Sequence, residues 1–426
     1  MANKTKHREL SRSKRLLFSV ILVLLSIVTA LVIAEFTARL LKPEKPKSER
    51  LENRYHSKLG WLPKQSVVIE RTHEYTAHFH VNSFGMNDMD IDTTNLPEKR
   101  ILGVGDSHTF AVGIDHQLTW PNVLEQLLFD SQIDSGQVYN GGMIGYSLGQ
   151  YLVRARLLEP IIDPDLIIIG FSMATDLYDL IPPGRGGFIY GGGKGRIYFD
   201  LDSDSNLVEK HDLVGGYVYS SQKQMEADQA DTGNVNKSRP KNYATAQKAF
   251  SSRLRDFLSK FELYNLLRRS KAAMWVATNL RPGGQSLWPG LDTSLKIKLT
   301  EEDAYRWKLA DEILKQFQRE AMQWDAQLVL VNIPYLAQVY DDVWESSFGS
   351  NTELYNRWIG NHRLQRICKQ IGITYIDTTP DFIRAHEATG KWLHYRDDGH
   401  PTKEGQRIIA KTVYQQLRDK GLLDSL

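Results

Sequence analysis

The sequence predicts an α/β protein, with three layers (α/β/α) around a mostly parallel sheet, one membrane-spanning helix ahead of it and a large insertion inside it. Three observations carry this expectation. Short apolar runs bounded by turn residues alternate with longer stretches of helical periodicity, over residues 100–181 and again over 300–426. Residues 182–299 break that rhythm. Near the N-terminus, nineteen consecutive residues carry no charge.

The composition bounds the rest. With 426 residues, 41% hydrophobic and 24% charged, the chain is globular in character, which excludes collagen-like, disulfide-scaffold and wholly disordered classes. Its formal net charge of +2 is a sum of unlike parts. Residues 1–15 form a basic tail with six Lys/Arg and one acid, Glu9, for a net of +5, and the remainder holds 47 basic and 50 acidic residues. That mildly acidic body offers no electrostatic footprint for nucleic acid. The single cysteine, Cys368, excludes an internal disulfide and any multi-cysteine metal site, and its place in LQRICKQIG marks a small core residue.

Taking the elements in order, Leu16–Ala34 (LLFSVILVLLSIVTALVIA) would rise about 28 Å as a helix, close to the hydrocarbon thickness of a bilayer. The run exceeds the apolar region of about 7 to 15 residues usual in a signal peptide, which favours a retained anchor over a cleaved leader. Basic residues number six before the span and six in residues 36–55, so their count sets no orientation. Lys14 and Arg15 abut the span while Arg39 is the first basic residue beyond it, so the expectation is a cytoplasmic tail and an extracytoplasmic body. Residues 35–55 read as a charged spacer with two prolines.

Residues 56–99 form a small β-rich lead-in, with strands predicted at SVVIER and YTAHFHV. His78 and His80 would share a strand face there, but no third ligand is indicated, and no metal site is expected. In the first half of the core, strands are predicted at Ile101–Gly105, Val138–Asn140 and Asp165–Phe171, and helices at Trp120–Phe129 and Leu148–Leu158. In the second half, helices are predicted at Thr300–Trp324, Glu353–Ile371 and Lys403–Arg418, with strands at Gln327–Ile333 and Thr374–Asp377. Within the insertion, residues 184–195 (GRGGFIYGGGKG) lack phosphate-loop spacing. Phe188 stands where a glycine is needed and Gly195 follows Lys194 in place of Ser/Thr, so a flexible loop is expected. Residues 221–242 are too polar to support a core, and Phe250, Leu254, Phe257, Leu258 and Phe261 follow helical spacing suited to a packed helix or lid.

The chemistry gathers at strand ends. Ser107, in Gly105-Asp106-Ser107-His108-Thr109, directly follows a buried strand, where a sharp turn exposes a hydroxyl at the carboxyl edge of the sheet. Asp397-Asp398-Gly399-His400-Pro401 falls just before the last helix, and an aspartate near a histidine in a loop can accept its Nδ1 proton while Nε2 faces a nucleophile. Asp397 is the expected orienting acid and Asp398 its rival. Asn140–Gly145 supplies glycines that let a backbone N–H approach a substrate oxygen, and Gly170–Asp176 (GFSMATD) ends the third strand. His108 and His116 read as packing or substrate contacts.

These four blocks, in this order, resemble the SGNH hydrolase superfamily, also called GDSL-type esterases, over residues 100–180 and 300–418. The resemblance implies a flavodoxin-like three-layer fold, Ser107 as nucleophile, His400 as base and Asp397 as supporting acid. It also implies an oxyanion hole from the backbone of Ser107 and Gly145. The third block departs from the family's Gly-x-Asn-Asp, since Thr175 stands where the asparagine donor belongs, leaving a Thr175 or Ser172 hydroxyl to replace it. No cofactor is implied. The expected function is that of a membrane-anchored serine esterase cleaving an O-acyl ester, acetyl included, on an envelope polysaccharide or lipid. The alternatives are an O-acyltransferase using the same residues and a degenerate, non-catalytic carbohydrate-binding or assembly protein.

Overall fold

The computed structural model describes residues 12–40, 48–49, 51–131, 136–180, 197–211, 261, 264, 289–349 and 353–423. The chain divides into two compact units, Met1–Lys45 with Asn234–Ala277 and Pro46–Gly233 with Thr278–Leu426. The glycine-rich stretch 184–195, the polar stretch 221–242 and, apart from Phe261, the helical stripe from Phe250 lie outside the described residues.

In the first unit a 29-residue helix, Arg12–Leu40, contains the predicted span and continues six residues past Ala34. Three of its hydroxyls turn back onto the backbone: Ser26 donates to Leu22 O, Thr29 to Leu25 O and Thr37 to Ile33 O, at 2.8–2.9 Å. Polar groups satisfied within the helix in this way suit an apolar medium. Glu35 and Arg39 pair at 2.7 Å just past the apolar stretch. Among the described residues this is the one helix long and apolar enough to cross a membrane.

The second unit is built on five parallel strands in the spatial order β11-β10-β7-β5-β6, where β5 is Lys99–Gly105, β6 Gly136–Asn140, β7 Leu166–Ser172, β10 Gln327–Ile333 and β11 Thr374–Asp377. Taken in chain order within the sheet this is 2-1-3-4-5, the flavodoxin-like arrangement. All seven residues of β7 (LIIIGFS) are buried, as a central strand covered on both faces requires. The helices fall into two packed groups. Trp120–Asp130 packs on Lys403–Asp419, whereas Leu148–Ile162 packs on Glu301–Gln323, which in turn packs on Ile359–Ile371. Thr300 caps the long helix by accepting the Asp303 N–H at 3.1 Å.

The helix predicted from Glu353 begins at Ile359. The residues ahead of it pair with the chain after Pro289–Leu295 instead: Ile297 N–H donates to Leu354 O and Asn356 N–H to Leu295 O, at 2.9 and 3.0 Å. Inside the insertion, β8 (Ile197–Leu201) and β9 (Leu207–His211) form an antiparallel hairpin. In the lead-in, β1 (Asn53–His56) pairs with β2 (Gly60–Pro63), and β3 (Ser66–Arg71) pairs with β4 (Thr76–Val81). The β3–β4 hairpin joins a second apolar cluster of Tyr75, Ala77, Phe79 and Val81 with Phe110 and Val112. The strand order reverses at β5, between β6 and β7, and ligands in open parallel sheets bind at the carboxyl ends beside such a reversal.

Candidate active site

Ser107 sits at that reversal. β5 ends at Gly105, Asp106 caps the four-residue helix Ser107–Phe110 by accepting the His108 N–H at 2.8 Å, and Ala111 ends the helix in the left-handed region (φ 64°). The turn is this tight because two glycines cross there. A Cβ on Gly105 would lie 2.1 Å from Thr109 Oγ1 and 2.9 Å from Gly170 O, and one on Gly170 would lie 2.2 Å from the same hydroxyl. Gln406, on the last helix, fixes the turn from below by donating to His108 O at 3.1 Å and accepting the Trp120 N–H at 2.8 Å.

His400 arrives from the loop that the paired residues His394 and Pro401 close at its base. Its Nε2 lies 2.7 Å from Ser107 Oγ, and its Nδ1 is hydrogen-bonded to Asp398 Oδ1. The acid on the histidine is therefore Asp398, and the expectation of Asp397 is corrected. Gly399 adopts the left-handed region (φ 88°), folding the Asp398 carboxylate back beneath the ring two residues on. The Asp397 side chain points the other way, to His73 Nε2 at 2.8 Å, in a pair more than half exposed.

Burial alone would lower the His400 pKa, but the hydrogen bond and charge of Asp398 outweigh it, so the net shift is upward from 6.5. Burial likewise raises Asp398, and its bond to His400 more than offsets this, holding it below 3.8. A base must be neutral to accept a proton, so the acid limb of kcat/KM for ester turnover is expected to have its midpoint above 6.5. A pH–rate profile with the midpoint at or below the ordinary histidine value would contradict this arrangement.

The two backbone donors expected of an oxyanion hole belong to Ser107 and Gly145. The Ser107 N–H is in the first turn of its helix, where donors have no intrahelical acceptor. Gly145 occupies the left-handed region (φ 76°) in a turn held by Met143 N–H on Gly105 O at 2.9 Å and Trp61 Nε1 on Ile144 O at 3.1 Å. Thr175 does not serve as anticipated, because its hydroxyl donates to Asp106 Oδ2 at 2.8 Å, which commits its one proton. The Ser172 hydroxyl, the other substitute, is buried and has no hydrogen-bond partner among the described residues. Of the two substitutes, the Thr175 hydroxyl is thus engaged elsewhere, and the Ser172 hydroxyl keeps its proton uncommitted.

Around the serine lie groups that sequence reasoning passed over. Asp106 also bonds His108 Nδ1 at 3.0 Å, and the His108 ring lies against His400 with centroids 4.9 Å apart. Burial opposes ionisation of Asp106, yet His108 and Thr175 outweigh it and lower its pKa, whereas Asp176, sealed in beside it, is raised by burial and by the Asp106 charge. Glu70 and Glu74, from the lead-in hairpin, border the His400 loop, and burial raises the Glu70 pKa. His116 rests against His80, and Cys368 is sealed in the core with its thiol pushed up to about 12 by burial. His78 and His80 have separate partners, Asp115 and the Asp88 carbonyl, at 2.9 and 2.8 Å. Among the described residues, no group of three or more His, Cys, Asp or Glu is placed to hold a metal ion.

No protein-family model matches the chain, and neither does any curated protein. Solved structures similar to it include TesA, with 13% identity over 75% of this chain and 99% of that one and a TM-score of 0.34. The psychrotrophic esterase EstA from Pseudoalteromonas sp. is 11% identical over 76% of this chain and 98% of its own, with a TM-score of 0.33. A catalytic mutant of Axe2, an acetylxylan esterase from Geobacillus stearothermophilus, is 10% identical over 76% and 95%, with a TM-score of 0.35. At these distances the assignment of activity rests on the site's own geometry. The solved structures similar to the chain also include a member of the lipolytic protein G-D-S-L family from Veillonella parvula.

Proposed function

We propose that the protein is a membrane-anchored serine esterase that cleaves an O-acyl ester. The observation that carries this reading is the unbroken relay from Asp398 through His400 to Ser107 Oγ, with the Nε2–Oγ separation at 2.7 Å. His400 takes the Ser107 proton as Oγ attacks the ester carbonyl. The Ser107 and Gly145 N–H groups receive the oxyanion, and Asp398 steadies the imidazolium. The leaving alcohol takes its proton from His400, and a water activated by the same imidazole then releases the acid and restores the serine. The test is hydrolysis of an aryl acetate by the full-length chain, which is to disappear in Ser107→Ala.

The anchor reading is supported by the apolar helix Arg12–Leu40 and its internally satisfied hydroxyls. Lys14 and Arg15, abutting the apolar run, favour a cytoplasmic tail and an extracytoplasmic body. Full-length protein is expected to stay in the membrane pellet through an alkaline carbonate wash, with a reporter fused after Leu426 active only outside the cytoplasm. Release by carbonate would overturn the anchor, and a cytoplasmic reporter signal would overturn the orientation.

A further inference from the structure

We propose that Glu74 is a positioning residue for the His400 loop, its carboxylate gathering three consecutive backbone N–H groups so that Asp398 stays on His400. The inference rests on the serine-esterase reading and adds to it a residue from outside the four blocks. Arg396 N–H donates to Glu74 Oε1 at 2.6 Å, Asp397 N–H to both oxygens at 3.2 Å, and Asp398 N–H to Oε2 at 2.9 Å. Backbone acceptors close only the base of the loop: Tyr395 N–H donates to His400 O and Gly399 N–H to Tyr395 O, both at 2.9 Å, and Thr402 N–H to Leu393 O at 2.8 Å. The tip that carries Asp398 is tied to the body by Glu74. Bonds from N–H groups to a carboxylate are charge-assisted and stronger than neutral ones, and successive N–H groups around one anion form a concave nest.

Glu74 is itself held. It lies in the turn between β3 and β4, where Thr72 Oγ1 accepts the Glu74 and Tyr75 N–H groups at 3.1 Å each and Thr72 N–H donates to Tyr75 O at 2.9 Å. Next to it the Tyr75 ring packs on Tyr395 with centroids 4.8 Å apart, and the Tyr395 hydroxyl donates to Gly113 O at 2.9 Å. The hairpin is thereby fastened to the loop at two points, one polar and one aromatic. The neighbouring His73–Asp397 pair is exposed on both sides and adds little hold.

The test uses the full-length chain in detergent, with hydrogen–deuterium exchange over residues 395–400 and kcat/KM for an aryl acetate measured against pH. In Glu74→Ala the amides of Arg396, Asp397 and Asp398 are expected to exchange at least about tenfold faster, with kcat/KM down by about 10- to 100-fold. The acid-limb midpoint is expected to fall, because a loosened Asp398 no longer supports the His400 charge. Glu74→Gln, which keeps the shape and one accepting oxygen, is expected to recover part of the rate, the midpoint and the protection. His73→Ala, which removes only the exposed pair, is expected to leave all three within about twofold.

Wild-type exchange at 396–398 in Glu74→Ala, or a wild-type rate and midpoint, would overturn the proposal. Should Glu74→Ala lose protection throughout the chain, Glu74→Gln is read by the same criteria. Absence of Ser107-dependent turnover in the wild type would instead overturn the esterase reading, and the exchange data alone would still report whether Glu74 holds the loop.

Discussion

Asp398→Asn is expected to lower kcat for ester turnover by about 10⁴-fold, whereas Asp397→Asn, one residue away, should cost less than about threefold. The difference follows from where the two carboxylates point. Asp398 accepts from His400 Nδ1 and so fixes the tautomer that leaves Nε2 free to take the serine proton. An asparagine there can present its amide N–H to Nδ1 and hold the ring in the opposite tautomer, with the shape of the site intact. The Asp397 carboxylate pairs with His73, in the open. Asp398 also keeps the His400 pKa high, so its replacement moves the acid limb of the pH–rate profile towards lower pH while the rate falls. A larger loss at Asp397 than at Asp398 would show that the loop is turned the other way in the working enzyme.

Ser107→Ala and His400→Ala are each expected to remove ester turnover by a factor on the order of 10⁶, and the double variant to be scarcely worse than either. Nucleophile and base act as one unit, so losing either forfeits the covalent route. On the proposed mechanism, what survives is binding and the Ser107 and Gly145 N–H groups. Under that proposal the same donors bound the wild-type rate. An oxyanion hole lacking one contributor turns over more slowly by about 10²- to 10³-fold than one with all its donors. Thr175 does not fill the gap, because its proton goes to Asp106.

Much of this was legible from sequence because it is written in short-range pattern. The run DLIIIGF reads as the clearest buried strand in the chain, and β7, Leu166–Ser172, is buried at all seven positions. Gly105-Asp106-Ser107 after an apolar strand, and a histidine between glycine and proline before the last helix, marked the serine and histidine of the relay. What was not legible depends on direction and on distant contact. Two adjacent aspartates are equivalent in sequence, and the choice between them is made by Gly399, whose left-handed backbone turns Asp398 under the ring. The predicted start of the helix at Glu353 failed because residues 354–356 are taken up by pairing with residues 295–297, a contact no local periodicity reports. Glu74 lies more than three hundred positions from the amides it binds, within a strand-turn-strand segment that read only as a lead-in. Nothing in its own neighbourhood marks it as different from an exposed turn glutamate.

Whether Ser107 is a nucleophile activated by His400 is read by reacting the detergent-solubilised full-length protein with a fluorophosphonate and locating the adduct by mass spectrometry. One stoichiometric adduct on Ser107 is expected, absent in Ser107→Ala, slowed in His400→Ala and in Asp398→Asn, and unchanged in Asp397→Asn. A folded wild-type protein that carries no adduct on Ser107, or one labelled equally well in His400→Ala, would contradict this activation.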